Sequence, residues 1–341
     1  MDHHPTEKPL YTLGIDLAKA SLVACLLDPA GKEIKPPTEF DNAPAGLRKL
    51  LAWMTDAQAT RVVFESTGVY GKKLILALDG SVASLHQLNP KVISRRAATS
   101  IQTKTDQADA RAIAKVGFDL ALTEPKTLQN AAIRFDPAIE DLALWLSEFH
   151  RVTLNAAALA NQIKTAECNP APAAKRLCKD LHRELKRVRE RKAEVAKIMD
   201  EAARKADAQS MDLLTSIPGI GDATAATLVC RIINIKRFAS PDALKGYLGM
   251  YPRRRQSGKY EAPSRMATHG CALVRHMLWN CAKVATRFNP ACMETYERLK
   301  KNGKHAASCY GAVARKLLHI VYGVLANQKP FSHQLSSPQP A

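Results

Sequence analysis

The sequence lacks a long apolar run and an amino-terminal leader pattern. No stretch reaches about 18 uninterrupted apolar residues, which is the length that a membrane-spanning helix needs. The first residues, MDHHPTEKPL, lack the charged and apolar regions of a secretory signal peptide. We therefore predict a cytoplasmic protein with no membrane span.

Closely spaced cysteine pairs are also missing. The eight cysteines are scattered along 341 residues and no CxxC occurs. This pattern argues against a zinc ribbon and against a disulfide framework. We expect reduced thiols that mostly fill the core.

Acidic residues are scarce relative to basic ones. The chain has 50 Lys and Arg against 32 Asp and Glu, which gives a formal net charge of +18. A charge of this size points to a polyanionic partner, although a basic surface with no partner is the alternative. A hydrophobic content of 46% fits a globular protein, and the length allows two or three domains.

The segment from Thr103 to Val116, TKTDQADARAIAKV, holds two of the few acids close together. Asp106 and Asp109 are three residues apart, and the apolar residues that follow have helical periodicity. Both carboxylates therefore share one face of the first turn of a predicted helix. Two carboxylates this close are costly unless a cation or a proton lies between them. The alternative is an ordinary acidic first turn, which the helix dipole favours.

Two further acids lie inside apolar runs that predict buried strands. Asp16 is in LGIDLAKASLVACLL and Glu65 is in RVVFESTG. A carboxylate in a buried strand is costly unless it is paired or binds a metal. Each acid alone could meet an arginine in the core. Four such acids in the order strand, strand, helix predict a shared metal site instead.

The order of the predicted elements indicates an α/β domain followed by helices. A strand hairpin over residues 11–28, a third strand over 32–40 and strands around Glu65 and over 81–88 alternate with helices, which favours a mixed sheet. Residues 138–208 read as helix. Their apolar positions from Cys178 to Ala202 repeat in heptads, with one lysine break at Lys192. This seam predicts either self-association as a coiled coil or packing on the chain's own helix 139–167.

Three basic or glycine-containing segments suit a nucleic-acid backbone. The segment after Pro90 carries Lys91, Arg95, Arg96 and Lys104, although a solvated helix face would look the same. The PGIG sequence with Gly219 and Gly221, between two apolar helices, resembles a helix-hairpin-helix element, and a tight interhelical turn is the alternative. A loop further on carries the basic residues Arg253, Arg254, Arg255, Lys259 and Arg265 around Ser257. A serine before a glycine is by itself ordinary turn chemistry.

The motifs GIDLAKAS, FESTG and KTDQADARAIA together resemble the RuvC-like (RNase H-like) domain of the insertion sequence 110 family of transposases. The resemblance implies that Asp16, Glu65, Asp106 and Asp109 bind Mg²⁺ or Mn²⁺. The later P…QSG segment resembles the family's second catalytic region and implies that Ser257 is a nucleophile. Thr268-His269-Gly270 stands where a lysine-then-glycine step is expected, so phosphate contacts there do not carry over.

The resemblance covers about residues 10–325 and implies a bacterial DNA recombinase that acts through a phosphoserine intermediate. It also implies double-stranded donor and target DNA, a structured guide RNA, and a homo-oligomer, dimeric or tetrameric. We predict a metal-binding domain at 8–135, a helical coiled-coil segment at 136–208, a mostly α-helical transposase domain at 209–328 and a disordered tail at 329–341. A metal-dependent junction nuclease and a non-catalytic nucleic-acid-binding protein are the alternatives.

Overall fold

The structure, a computed structural model, describes residues 10–66, 68–97, 105–253, 256–257, 260–261, 265–266 and 270–332. For residues 69, 97 and 252–269 it describes no side chains. The chain divides into two compact units between Phe135 and Asp136. That boundary falls where the first predicted domain ends, and the further division at residue 208 stays a prediction.

The first unit is built on a mixed six-stranded sheet. Its strands are β1 (Tyr11–Leu17), β2 (Ser21–Leu27), β3 (Glu33–Asp41), β4 (Thr60–Glu65), β5 (Ser84–Leu88) and β6 (Ala132–Ile133), in the spatial order β3-β2-β1-β4-β5-β6. β1 pairs antiparallel with β2 and parallel with β4, and β4 is parallel to β5. The predicted mixed sheet, with its first hairpin, is thereby confirmed.

Helices cover both faces of this sheet. They are α1 (Pro44–Trp53), α2 (Gly71–Leu78), α3 (Pro90–Ala97), α4 (Asp106–Thr123) and α5 (Pro125–Asn130). Leu13 and Ile15 of β1 lie in one apolar cluster with Leu47 of α1 and Leu74 of α2. On the opposite face, Ala110 of α4 packs in a second cluster with β2. Successive strand residues point to opposite faces, so the two clusters divide β2 by alternation, with Leu22, Ala24 and Leu26 in the first and Val23, Cys25 and Leu27 in the second.

Glycines let α4 lie directly on the sheet. A Cβ placed on Gly14 of β1 would lie 2.1 Å from the backbone nitrogen of Ala114 in α4. A Cβ on Gly117 of α4 would lie 2.5 Å from a methyl carbon of Val63 in β4. Phe118 of α4 in turn sits against Gly31, just beyond the end of β2. These contacts fix α4 antiparallel to β1, with its amino-terminal turn near the carboxyl end of β1.

The second unit is mostly helical. Its helices are α6 (Pro137–Glu167), α7 (Pro172–Thr215), α8 (Asp222–Ile232), α9 (Pro241–Leu248), α10 (Ala272–Phe288), α11 (Pro290–Lys301) and α12 (Ala306–Asn327). Four two-residue strands lie between α9 and α10: β7 (Pro252–Arg253), β8 (Gln256–Ser257), β9 (Tyr260–Glu261) and β10 (Arg265–Met266). One apolar core draws on residues of α6, α7, α8, α9, α10, α11 and α12.

The heptad seam of α7 packs on the chain's own α6. Leu185 lies in an apolar cluster with Leu159 and Ile163 of α6. The lysine break fits the same interface, because the Lys192 Nζ lies 5.2 Å from the centre of the Phe149 ring. Of the two uses predicted for the seam, the structure shows packing on α6. Pairing with a second chain stays a prediction.

No helix within the described ranges is long and apolar enough to cross a membrane. Five cysteines are buried, as the prediction of core filling requires, namely Cys25, Cys230, Cys281, Cys292 and Cys309. Inside the predicted tail, Phe331 packs against the core of the second unit, and its N–H donates to the Ser216 Oγ at 2.9 Å. Residues 333–341 lie outside the described residues.

Candidate active site and nucleic-acid interface

Asp16 and Glu65 end two adjacent parallel strands. The register pairs Ile15 of β1 with Phe64 of β4, which makes Asp16 and Glu65 neighbours at the carboxyl ends. Ile15 and Phe64 both lie in the cluster on the α1 and α2 side. By alternation the two acids face the other side of the sheet, which α4 covers.

The first turn of α4 brings the other two acids to the same edge. The helix begins at Asp106 and carries Asp106 and Asp109 in its first turn. Thr105 caps it, because its Oγ1 accepts a hydrogen bond from the N–H of Ala108 at 3.2 Å. Since Gly14 holds α4 against β1, this turn lies at the end of β1 that carries Asp16.

The pKa of Asp16 is affected by all three other carboxylates. Burial raises the pKa of Asp16, and the negative charges of Asp109, Asp106 and Glu65 raise it further. A hydrogen bond with the backbone of Leu17 acts in the opposite direction. The four acids that the sequence analysis predicted as one set therefore converge in space, at the edge where β1, β4 and α4 meet.

The donor set fits a divalent cation chemically. All four groups are carboxylates, the hard oxygen ligands that Mg²⁺ and Mn²⁺ prefer, and they accumulate negative charge that a cation would neutralise. As the side chains stand, no three His, Cys, Asp or Glu within the described ranges are close enough to hold a metal ion together. Ligation at this edge thus requires the carboxylates to approach one another further.

The basic residues after Pro90 differ in their exposure and in their ion pairing. Lys91 and Arg95 are exposed on α3, whose start is capped by the Asn89 side chain accepting from the Lys91 N–H at 2.9 Å. Arg96 instead forms an ion pair with Glu124, at the end of α4. That pair offsets the charge of Arg96, so its predicted phosphate contact would be weakened while the pair is formed. Lys104 lies outside the described residues.

The PGIG turn joins α7 to α8, and the structure requires glycine at only one of its two glycine positions. Gly219 has a φ of +103°, in the region that favours glycine, and a Cβ there would lie 2.8 Å from the Ala285 Cβ of α10. Gly219 is therefore required by the turn and by packing. This is the role expected of a tight interhelical turn, the alternative to a nucleic-acid-binding element. Gly221 is the residue before α8, is exposed, and has open space around it. The backbone at the start of α8 is thus accessible, and nucleic-acid contact there stays a prediction.

The serine segment forms two nested antiparallel pairs. Ser257 of β8 pairs with Tyr260 of β9, and outside them Arg253 of β7 pairs with Arg265 of β10. Only the backbone of these residues is described, and Arg254, Arg255 and Lys259 lie outside the described residues. The backbone places two predicted basic residues opposite each other in the strand pair that encloses the serine pair in the sequence, and the roles of their side chains stay predictions.

Gly270 and Gly14 have positioning roles that we did not predict from the sequence. Gly270 has a φ of +84°, and a Cβ there would lie 2.5 Å from the backbone nitrogen of Gly249, so it closes the base of the serine segment. Gly14 sets α4, and with it Asp106 and Asp109, against β1. A glycine inside a strand often marks a close backbone approach, and this signal was available for Gly14.

Two family models match the chain. One, described as "Transposase" and specific to the DEDD transposases of IS110 elements, matches residues 13–166. The other, described as "Transposase IS116/IS110/IS902 family", matches residues 211–297. The first match contains all four acids of the candidate metal site, and the second contains the PGIG turn and Ser257.

Two curated relatives are similar over nearly their whole length. They are pilin gene-inverting proteins of Moraxella bovis and Moraxella lacunata, each 25% identical over 333 residues. Each alignment covers 95% of this chain and 98% of the relative. Together with the two domain matches, these similarities show that the chain belongs to the IS110 family of transposases and is a DNA recombinase.

Proposed function

We propose that this recombinase cuts and rejoins DNA through a covalent phosphoserine link, with a divalent metal ion held by Asp16, Glu65, Asp106 and Asp109. The observation that carries the metal site is geometric: the strand register sets Asp16 beside Glu65, and Gly14 holds the first turn of α4, with Asp106 and Asp109, against the same strand. A recombinase keeps such a cluster because the cost of the like charges is offset when a cation binds.

The metal ion would supply Lewis-acid stabilisation of the charge that develops on phosphate oxygens. The chain's own residues supply the rest. The Ser257 Oγ forms a bond to phosphorus and loses its proton, while the bond from phosphorus to the leaving deoxyribose oxygen breaks and that oxygen is protonated. Arg253 and Arg265, opposite each other across the outer strand pair, are suited to neutralise the phosphate. Rejoining reverses these bond changes with a different attacking hydroxyl.

The partners in this proposal are donor and target double-stranded DNA, a structured guide RNA and further copies of the chain. The net charge of +18 supports polyanionic partners. The relatives are named for inverting a pilin gene, which supports a reaction that rearranges DNA. With a guide RNA, base pairing would carry sequence specificity, and the protein would contact backbone and shape.

Covalent attachment to DNA tests the serine step. End-labelled DNA carrying the element's junction is incubated with Mg²⁺ and the guide RNA, and run on a denaturing gel. The wild-type protein should form an adduct, and Ser257→Ala should bind DNA normally yet form none. Ser264→Ala, a serine in the same segment, is the matched control and should still form the adduct. Cleavage without any adduct would instead identify a metal-dependent nuclease, in which water is the nucleophile.

A mixing experiment tests whether the two catalytic halves come from different subunits. Ser257→Ala protein keeps the acids, and Asp16→Asn protein keeps the serine, so mixed oligomers would contain complete composite sites. Restored adduct in the mixture supports shared sites. Absence of rescue, with mixed oligomers shown to form, removes the shared-site proposal and leaves the serine role intact.

A further inference from the structure

One aromatic side chain of the second unit is exposed beside the PGIG turn. Phe288, the last residue of α10, has 67% of its surface accessible. Val284, four residues earlier on the same helix, is 45% accessible. Exposed apolar residues are common singly, but two on adjacent turns of one helix form a small patch that needs an explanation.

Three contacts place this patch next to the PGIG turn. Along α8, the Thr227 Oγ1 meets the Met277 Sδ at 3.3 Å and the Thr224 Oγ1 meets the Cys281 Sγ at 3.3 Å. Gly219, in the turn itself, lies against Ala285. Going from Thr227 back to Gly219, the contacted residues on α10 go forward from Met277 to Ala285. The two helices are therefore antiparallel. The carboxyl-terminal end of α10 therefore lies at the PGIG turn.

Phe288 continues the stripe of α10 that packs on α8. Met277, Cys281 and Ala285 are spaced by four residues and contact α8 or its preceding turn. Phe288 follows Ala285 by three residues, so it lies on the same side of the helix, one turn further on. Cys281 is level with Thr224 of α8, and Ala285 is level with Gly219 in the turn before α8. Phe288 therefore lies beyond the start of α8 at Asp222.

The patch is flanked by positive charge. Lys283 and Arg287 are exposed and each directly precedes one of the two apolar residues. Neither forms an ion pair among the residues that the structure describes. Asp222, exposed in the first turn of α8, carries the opposite charge, which leaves this small surface net basic. An aromatic face beside cationic side chains suits a nucleobase and its phosphate better than an apolar protein surface.

We propose that Phe288 stacks on an unpaired base of DNA whose backbone lies along Lys283, Arg287 and the open backbone at Gly221. This proposal rests on the function proposed above. It adds a site that holds an unpaired base, of the kind that strand exchange exposes. α10 starts directly after the serine segment and rises about 1.5 Å per residue, so its ends are about 24 Å apart. Phe288 is therefore a positioning residue for DNA away from the reacting phosphate.

The test compares two DNA duplexes that differ by one unpaired 2-aminopurine. Binding is measured in EDTA, so that no cleavage occurs, with wild-type, Phe288→Ala and Phe288→Trp proteins. Stacking on an aromatic ring contributes about 1–3 kcal/mol per base, where 1.4 kcal/mol is tenfold. Phe288→Ala should therefore bind the unpaired-base duplex about tenfold more weakly, and the fully paired duplex within about twofold of wild type. Phe288→Trp should keep the affinity and the change in 2-aminopurine fluorescence on binding that Phe288→Ala loses.

The matched control is Leu144→Ala, because Leu144 of α6 is as exposed as Phe288, at 67%. It should change neither affinity nor fluorescence. Equal affinity and an equal fluorescence change for Phe288→Ala and wild type would overturn the stacking proposal and leave the proposed function standing. A smaller oligomer for Phe288→Ala, or loss of affinity for RNA only, would also overturn it. If the wild-type protein bound neither duplex, the proposed function itself would fail.

Discussion

At the residue scale, the chain concentrates like charge where a soluble fold would ordinarily separate it. Asp16 is partly buried near Asp106, Asp109 and Glu65, and its pKa is raised by that burial and by those charges. The ionised form of Asp16 is thus disfavoured in the folded protein. The resulting loss of stability is present above the raised pKa and disappears as the pH falls below it.

Removing that charge should stabilise the metal-free protein. We expect Asp16→Asn to melt at a higher temperature than wild type at pH 7 in excess EDTA, since both burial and repulsion penalise the Asp16 carboxylate. Added Mn²⁺ should raise the melting temperature of wild type more than that of the variant. Asp119→Asn, on the same helix α4, is the control for a general effect of charge. A lower melting temperature for Asp16→Asn in EDTA would contradict the arrangement.

His86 gives the first unit a separate dependence on pH. Burial lowers its pKa below the usual 6.5, and its ring nitrogens lie 2.8 Å from the Leu128 carbonyl oxygen and 2.8 Å from the Ser84 Oγ. Because the unfolded chain takes up the proton at a higher pH than the folded one, stability should fall as the pH drops below about 6.5. Urea unfolding of wild type and His86→Gln between pH 7.5 and 5 measures this, and equal slopes for the two proteins would refute it.

At the element scale, α4 is the part on which the candidate metal site depends. It carries two of the four acids, and its height above β1 is set by the absence of a side chain at Gly14. A change there would move Asp106 and Asp109 away from Asp16 without altering any of the acids.

Gly14→Ala should therefore damage both stability and the site. Its Cβ would lie 2.1 Å from a backbone nitrogen of Ala114, a contact that no side-chain rotation relieves. Overpacking of this kind costs about 1–3 kcal/mol or more of unfolding free energy. Gly323→Ala in α12 meets nothing within 4 Å, so we expect it to be neutral or slightly stabilising. Denaturant unfolding and Mn²⁺ binding check both variants, and a Gly14→Ala protein as stable as wild type would show that α4 is not fixed here.

The strands and helices around the acids were predictable because their signals are local. Asp16 and Glu65 stand in short apolar runs, and the acids of α4 precede helical periodicity. The partners of surface charges were not predictable, because the pairing of Arg96 with Glu124 depends on how α3 packs near the end of α4. The heptads of α7 indicated an apolar partner but could not distinguish α6 from a second chain, since both would bury the same stripe.

At the scale of the whole molecule, we expect the net positive charge to contribute more to nucleic-acid affinity than any single contact. Most of the excess of 18 positive charges lies in residues 136–341, and basic segments occur around Lys91, Lys175 and Arg253. A protein that neutralises many phosphates releases many counterions, so its affinity falls steeply with salt.

We expect affinity for DNA or guide RNA to fall on the order of 10³-fold between about 50 and 200 mM salt. Fluorescence anisotropy over a salt series measures the slope of log affinity against log salt. Lys175→Ala, on an exposed position of α7, should reduce the slope slightly if that helix contacts phosphate. A flat plot for wild type would contradict a binding mode based on phosphate neutralisation.

The central claim is that four carboxylates from β1, β4 and α4 form one divalent metal site on which DNA strand transfer depends. Strand transfer by wild-type, Asp16→Asn and Asp109→Asn proteins, with Mg²⁺ and with excess EDTA, tests it most directly. Wild type should be active only with Mg²⁺. Both variants should be inactive although circular dichroism shows them folded. Full activity of wild type in EDTA, or of either variant with Mg²⁺, would contradict the claim.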